Sequence, residues 1–406
     1  MFKSLTGSLI LITLALWPAT TGSNPFVEKK VEIKKSSFDL PEKSETFKSI
    51  RILLLKSVKT APVKTASPYK IFDKDGHTLV SGDVLALAHI TSAENGIKIG
   101  SQLYRDFPIT IKAEGDGVFV KDRFYRDAIV ITKERNGKLT IINSLSIEHY
   151  LKGVLPWEAN PKWKMEALKA QAITARTYAL FKMIENQNEA YDLTKDVLSQ
   201  VYAGKSAENP VTDEAVISTE GQILVYRGKI FPAYFHSTCG GATTSADTVW
   251  DIEPHPALKG AQCNFCKSSK HYKWSAEFSR GEIESKLRKN GYSVTNLKSI
   301  EVASRDPFGR ATKISYEDDD GKKTIRANDF RLALDPGKLK SMKLDEIDHR
   351  ENQYVFRGHG WGHGAGLCQY GMKELAELGY SHQEILKYYY PDTDVITWWT
   401  NEMATP

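Results

Sequence analysis

Between residues 50 and 142 the apolar side chains come in short runs separated by polar turns. Residues 50–55, 109–113, 128–132 and 139–142 are rich in Ile, Val, Leu and Thr, which predicts strands. Asp75-Gly76 and Asn136-Gly137 supply hairpin turns, because these pairs accept positive φ. Past residue 150 the period changes. Met165, Leu168, Ala172, Ala175 and Ala179 recur three or four apart, which predicts a helix whose small residues allow close neighbours. Asn160-Pro161 reads as its N-cap with proline at the first helical position. Upstream, Ser146 caps a short helix over residues 147–152, with Glu148 in its first turn and Gly153 closing it. An apolar link through Val154, Leu155, Pro156 and Trp157 leads from that helix to Glu158.

The second half alternates more evenly between strand and helix signals. Residues 196–202 read as a loop with a strand. Residues 222–225 and 230–235 flank the turn Arg227-Gly228, which runs on into His236-Ser-Thr-Cys-Gly-Gly241. Residues 273–345 are mixed α and β, with a helix over 279–290 ended by Gly291 and a hairpin around Asp320-Gly321. From 358 to 371 glycine occupies nearly every second position. The run does not satisfy G-x-G-x-x-G, so a nucleotide loop is not supported. A helix over 367–378 stops at Gly379, and Ser381-His-Gln-Glu384 is a capping box opening a last helix that Pro391 terminates. The pattern predicts an α+β fold: a β-rich frame with one embedded helix, forming a single compact unit over residues 49–396.

The ends of the chain read differently. Residues 1–22 have the form of a signal peptide: Lys3, an apolar core over 9–17, then small residues. An uncleaved anchor is the alternative, and would be the only membrane attachment. The expected location is therefore exported, in the periplasm or cell envelope. Residues 23–48 are rich in Lys, Glu and Ser and predict a flexible tether; residues 397–406 form a short tail. Across 406 residues, 55 Lys+Arg face 50 Asp+Glu, a net charge of +5. That mild excess, without a basic stripe interleaved with aromatics, argues against nucleic acid as a partner.

Two groups of residues carry candidate chemistry. Glu158 sits among Pro156, Trp157 and Trp163, where desolvation would raise its pKa and suit it to general-acid work. A helix N-terminus beside it would act the other way, and spacing alone favours an ordinary first-turn carboxylate. The chain's four cysteines are Cys239, Cys263, Cys266 and Cys368. Cys263-x-x-Cys266 has knuckle spacing, and His236 with Cys239 would complete a Cys₃His zinc site. An exported protein equally fits a disulfide from Cys239 to Cys263 or Cys266, or unpaired thiols.

Four blocks resemble one family. They are residues 150–180 around Glu158, Tyr234-Phe-His-Ser-Thr-Cys-Gly-Gly241, the glycine-rich run 358–371, and Ile385-Leu-Lys-Tyr-Tyr-Tyr-Pro391. In this order they are similar to the stage II sporulation protein D family of lytic transglycosylases and amidase enhancers, with a signature core at about 138–250. The resemblance implies cleavage of the β-1,4 bond between N-acetylmuramic acid and N-acetylglucosamine in peptidoglycan, leaving 1,6-anhydro ends and needing no cofactor for the chemistry. It also implies a preference for strands lacking stem peptides. Glu158 is the position matching the family's catalytic acid. This chain reads Glu158-Ala-Asn-Pro where relatives commonly have Glu-Met-Pro. Gln171, Arg176, Ser237, His359, His363, Gln369 and Tyr370 are the further candidate cleft residues. The competing reading is a glycan-binding module that stimulates a cell-wall amidase without cleaving anything.

Overall fold

Alternating apolar residues along the first half of the chain pair off into two antiparallel sheets sharing one core. The computed structural model describes residues 34–41, 49–195 and 200–399. The larger sheet has seven strands. Its order is Leu193–Thr194, Ser49–Val58, Leu139–Ser146, Ala128–Lys133, Ile109–Ala113, Tyr69–Phe72 and Thr78–Gly82. Neighbours are antiparallel except for the first pair, which is parallel. The second sheet, of six strands, runs Arg123–Tyr125, Val118–Val120, Thr60–Thr65, Ala88–Ala93, Gly96–Ile99 and Gln102–Tyr104. Alternation decides which side chains turn inward. In Ser49–Val58, for example, Ile50, Ile52 and Leu54 are buried while their neighbours are not.

Seven helices are present among the described residues: α1 Ile147–Glu158, α2 Met165–Glu185, α3 Pro210–Ser218, α4 Arg280–Lys289, α5 Ala327–Leu334, α6 Gln369–Glu377 and α7 His382–Tyr389. The helix α2 is the axle. Leu168, Ala172, Ala175 and Ala179 face the core of the two sheets. Ala167, Ala170 and Ile173 face a second core built from α6, α7 and the four cysteines. A helix covered on both sides cannot be amphipathic, and small residues let its neighbours approach. Its buried threonines satisfy themselves locally: Thr174 and Thr177 donate to the carbonyls of Ala170 and Ile173. A third core joins α4 and α5 to two three-stranded sheets within residues 273–359. The α+β expectation and the single compact unit therefore hold. No helix among the described residues is long and apolar enough to cross a membrane.

Several local expectations change. Residues 34–41, assigned by composition to the tether, are held by the fold. Phe38–Asp39 pairs with Lys229–Ile230, Lys34 and Ile252 form a bridge, and the Phe38 ring lies 5.0 Å from that of Phe181. Two apolar side chains, Phe38 and Leu40, packed on the core and a short two-stranded pairing suffice, whatever the flanking charge. The expected strand over 230–235 is only Lys229–Ile230 and Phe235–His236, because Pro232 has no N–H to give a ladder. Residues 1–33, hence the signal-peptide reading, and residues 196–199 lie outside the described part.

Most consequential is α1. It does not end at Gly153 but continues through Pro156 to Glu158. Gly153 is a seat rather than a stop. A Cβ there would lie 2.6 Å from the Tyr202 ring, so glycine lets the segment around Tyr202 pack on the helix. The helix α2 then starts at Met165 with no side-chain cap. Asn160 accepts from the Lys162 amide in a turn of its own.

Candidate active site

The end of α1 delivers Glu158 into a cleft of about 490 Å³ between α1, the loop after it, and the start of α6. Glu158 thus belongs to a helix C-terminus. The dipole there disfavours an anion, the reverse of the N-terminal position expected from the sequence. The side chain keeps one face on the cleft, yet its carboxyl group is densely surrounded by protein. That burial raises its pKa, and two hydrogen bonds oppose the rise. The Val201 amide donates to Oε1 at 3.1 Å, and Gln369 Nε2 donates to Oε2 at 3.2 Å. Two aimed donors fix the carboxyl group in place, while desolvation holds its proton to higher pH. Among the described residues lining the cleft, Glu158 is the only carboxylate.

The remaining walls are aromatic and polar. Trp157 stands 59% exposed at the rim, and Trp361 faces the cleft with His271 against its ring at 4.2 Å. Trp163 meets Tyr370 edge to face at 5.7 Å. Lys270 and Ser237 complete the polar contribution. An amphipathic ring system beside a cation and a buried acid suits a polymer of sugars bearing carboxylates.

Of the residues singled out from sequence, Glu158, Ser237, Gln369 and Tyr370 meet at this cleft. Gln171 lies one layer behind, fully buried, accepting from Gln369 at 3.5 Å. Arg176 is elsewhere. Its guanidinium forks onto Glu148 at 2.9 and 2.7 Å and donates to the carbonyls of Val216 and Gln222. It clamps α1, α2 and α3 together and does not line the cleft. His363 uses both ring nitrogens on backbone: Nε2 donates to Phe235 O, and Nδ1 accepts from the Ala365 amide. Burial pushes its pKa well below the usual imidazole range, so it stays neutral. His359 pairs with Asp345 outside the cleft lining. Sequence reasoning passed over Trp361, Lys270, His271 and the Val201 amide. Trp361 lies within the glycine-rich block and could have been found there, whereas Lys270, His271 and the Val201 amide carry no local signal and come from other parts of the chain.

The cysteines gather, but not as expected. His236 is not among them: its Nδ1 bonds to Ala365 O at 3.1 Å, and burial lowers its pKa to about 3. The fourth member is Cys368. The sulfurs of Cys239, Cys263, Cys266 and Cys368 all lie within 4.8 Å of one another, and all four are buried free thiols. Glycine spacing hid this, because Cys368 reaches the others only when Phe235–His236 and Leu367–Cys368 pair in parallel.

Two stretches of the chain match models of known families. Residues 135–226, which hold α1 to α3, match the family model described as stage II sporulation protein. Residues 247–366 match a domain of unknown function (DUF8618). An uncharacterized protein of Brachyspira hyodysenteriae is 36% identical over 262 residues, covering 64% of this chain and 69% of the relative. Stage II sporulation protein D of Bacillus amyloliquefaciens is 30% identical over 278 residues, 63% of this chain and 75% of that protein. The amidase enhancer of Bacillus subtilis is 27% identical, covering 61% of this chain and 40% of the enhancer. The chain belongs to the stage II sporulation protein D family.

Proposed function

We propose that this protein acts on the cell wall as a peptidoglycan lytic transglycosylase, with Glu158 as its acid and base. The carrying observation is a lone, desolvated carboxyl group, held by two donors in an aromatic cleft that presents no second carboxylate among its described lining. A glycoside hydrolase ordinarily needs two carboxylates, one of them to activate water or attack the sugar. A transglycosylase does not. Protonated Glu158 gives its proton to the glycosidic oxygen as the bond to C1 of N-acetylmuramic acid breaks. The resulting carboxylate takes the proton of the same sugar's C6 hydroxyl, whose oxygen closes onto C1 as a 1,6-anhydro ring. Glu158 returns to its starting state, and no water is consumed. Trp157 and Trp361 offer faces for sugar rings, and Lys270 a partner for substrate carboxylates. The expected location is outside the cytoplasm, on the cell envelope.

Purified protein incubated with peptidoglycan lacking stem peptides should release anhydro-ended glycans, read by mass spectrometry. Glu158→Gln should lose about 10²- to 10⁴-fold in rate, the usual worth of a positioned acid/base. Reducing-end products would mean that water attacks and the reading fails. A second reading has its own support, since one relative is named an amidase enhancer. Wild type that binds glycan, never cleaves it, and accelerates a cell-wall amidase would establish that role instead.

A further inference from the structure

We propose that Cys239, Cys263, Cys266 and Cys368 hold one structural zinc ion as four thiolates, and that this ion clamps the floor of the Glu158 cleft. Tetrahedral zinc with Zn–S near 2.3 Å sets its sulfurs about 3.8 Å apart. All four sulfurs lie within 4.8 Å of one another, with Cys239 and Cys266 at 3.4 Å, so a small inward shift closes the site. Four mutual neighbours describe a tetrahedron better than two separate disulfides, each of which joins only a pair. The set leaves no open position for substrate or water, as a structural site requires.

Two independent observations concern charge. The first is Arg310, wholly buried beside the cluster. Its Nη2 donates to Cys239 O at 2.7 Å, while Nε and Nη1 have no partner. It lies within electrostatic reach of Cys239, of the Asp306 carboxylate, and of Cys368 and Cys266. Asp306 accepts from the Arg310 backbone amide but not from Nε or Nη1, and a buried guanidinium with idle donors is costly unless further negative charge stands near. Four neutral thiols carry no charge, whereas Zn²⁺ with four thiolates carries a net charge of about −2. The second is the direction of the hydrogen bonds. The Cys239 amide points at Cys368 Sγ at 3.2 Å, and the Tyr389 hydroxyl meets Cys263 Sγ at 3.2 Å. The amide is a donor aimed at sulfur, and the hydroxyl can turn its hydrogen toward Cys263, which is the outer shell that thiolate ligands call for.

The placement gives the ion its purpose. Cys368 is the N-cap of α6, whose first residue is the Gln369 that donates to Glu158. Cys239 lies two residues beyond Ser237, whose carbonyl accepts from the Tyr370 amide. Binding one ion therefore joins the 235–241 segment, the Cys263–Cys266 knuckle and the start of α6, all next to the cleft. The metal site stands apart from the transglycosylase reading; only its role in positioning Gln369 rests on that reading.

The test is metal analysis of the full chain as purified, with cobalt exchange. One zinc per chain is expected, and Co²⁺ loaded in its place should show strong thiolate-to-cobalt charge transfer with tetrahedral bands. His236→Ala should keep the metal and leave the cobalt spectrum unchanged, while Cys368→Ala should lose either metal content or charge-transfer intensity. Should Cys368→Ala not fold, the wild-type and His236→Ala spectra still decide. Chelation should raise hydrogen exchange in residues 235–241, 263–272 and 367–371 while sparing strands Ile109–Ala113 and Ala128–Lys133. Metal-free protein with mapped disulfides, iron in place of zinc, or zinc lost in His236→Ala would each overturn the assignment. Uniform loosening on chelation would overturn the clamp. A zinc-loaded protein that never cleaves glycan leaves this site standing and removes only the enzyme reading.

Discussion

Arg176 offers the sharpest test of structure against sequence reading, because the sequence offers it as a candidate cleft residue and the fold puts it in a core. Arg176→Met keeps length and helix propensity but removes the charge. The side chain of Arg176 is fully buried, and that of Glu148 is 13% exposed. The variant leaves Glu148 with one long hydrogen bond, from the Gly221 amide at 3.3 Å. Stranding one partner of a buried ion pair costs about 3–5 kcal/mol, and the value here should be near 4, since Glu148 retains only slight exposure. At ~2.1 cal/mol/K per residue for roughly 370 residues, the unfolding entropy is about 0.8 kcal/mol/K, so Tm should fall by about 5 °C. Scanning calorimetry or circular dichroism reads this directly. Glu148→Leu combined with Arg176→Met should recover most of the loss, because it removes the stranded carboxylate together with its partner. Glycan cleavage per folded molecule should be unchanged well below the melt. Native Tm with a rate lowered tenfold or more would refute the reasoning and return Arg176 to the machinery.

Further tests address the site and the N-terminus. Burial holds the folded pKa of Glu158 above the ordinary value of 4.5, so wild type loses stability as pH rises above 4.5 and stops losing it beyond the folded pKa. Glu158→Gln should therefore gain stability relative to wild type across that window, measured by denaturant melts at several pH values, while wild-type cleavage declines as pH rises through the same pKa. Gly153→Ala sets a methyl group against the Tyr202 ring, and should cost about 1–3 kcal/mol and slow cleavage by displacing the Val201 amide from Glu158. A variant with native stability and rate would show that the segment around Tyr202 yields freely. A chain starting at Ser49 should melt below one starting at Ile33, because it loses the Phe38–Asp39 strand and the Phe38–Phe181 contact. Equal melting temperatures would restore the tether reading for residues 34–41.

Much of this protein was written locally. Asn136-Gly137 closes its hairpin, Gly379 follows α6 at positive φ, and Ser381 with Glu384 forms the capping box of α7. Each feature depends on a few neighbouring residues, so spacing reveals it. The identity of Glu158 as the acid of interest was likewise legible, from its motif. Its surroundings were not. Which helix end it occupies depended on whether Gly153 stops α1 or seats Tyr202, and that is a matter of packing from far along the chain. Its two donors lie 43 and 211 residues away, and Cys368 joins Cys239 across 129 residues. Arg176 and Gln369 are both polar residues in matching motifs, yet one anchors a core and the other faces the cleft. Burial is a property of what folds back over a residue, so only the tertiary structure could tell an ion-pair clamp from a donor to Glu158.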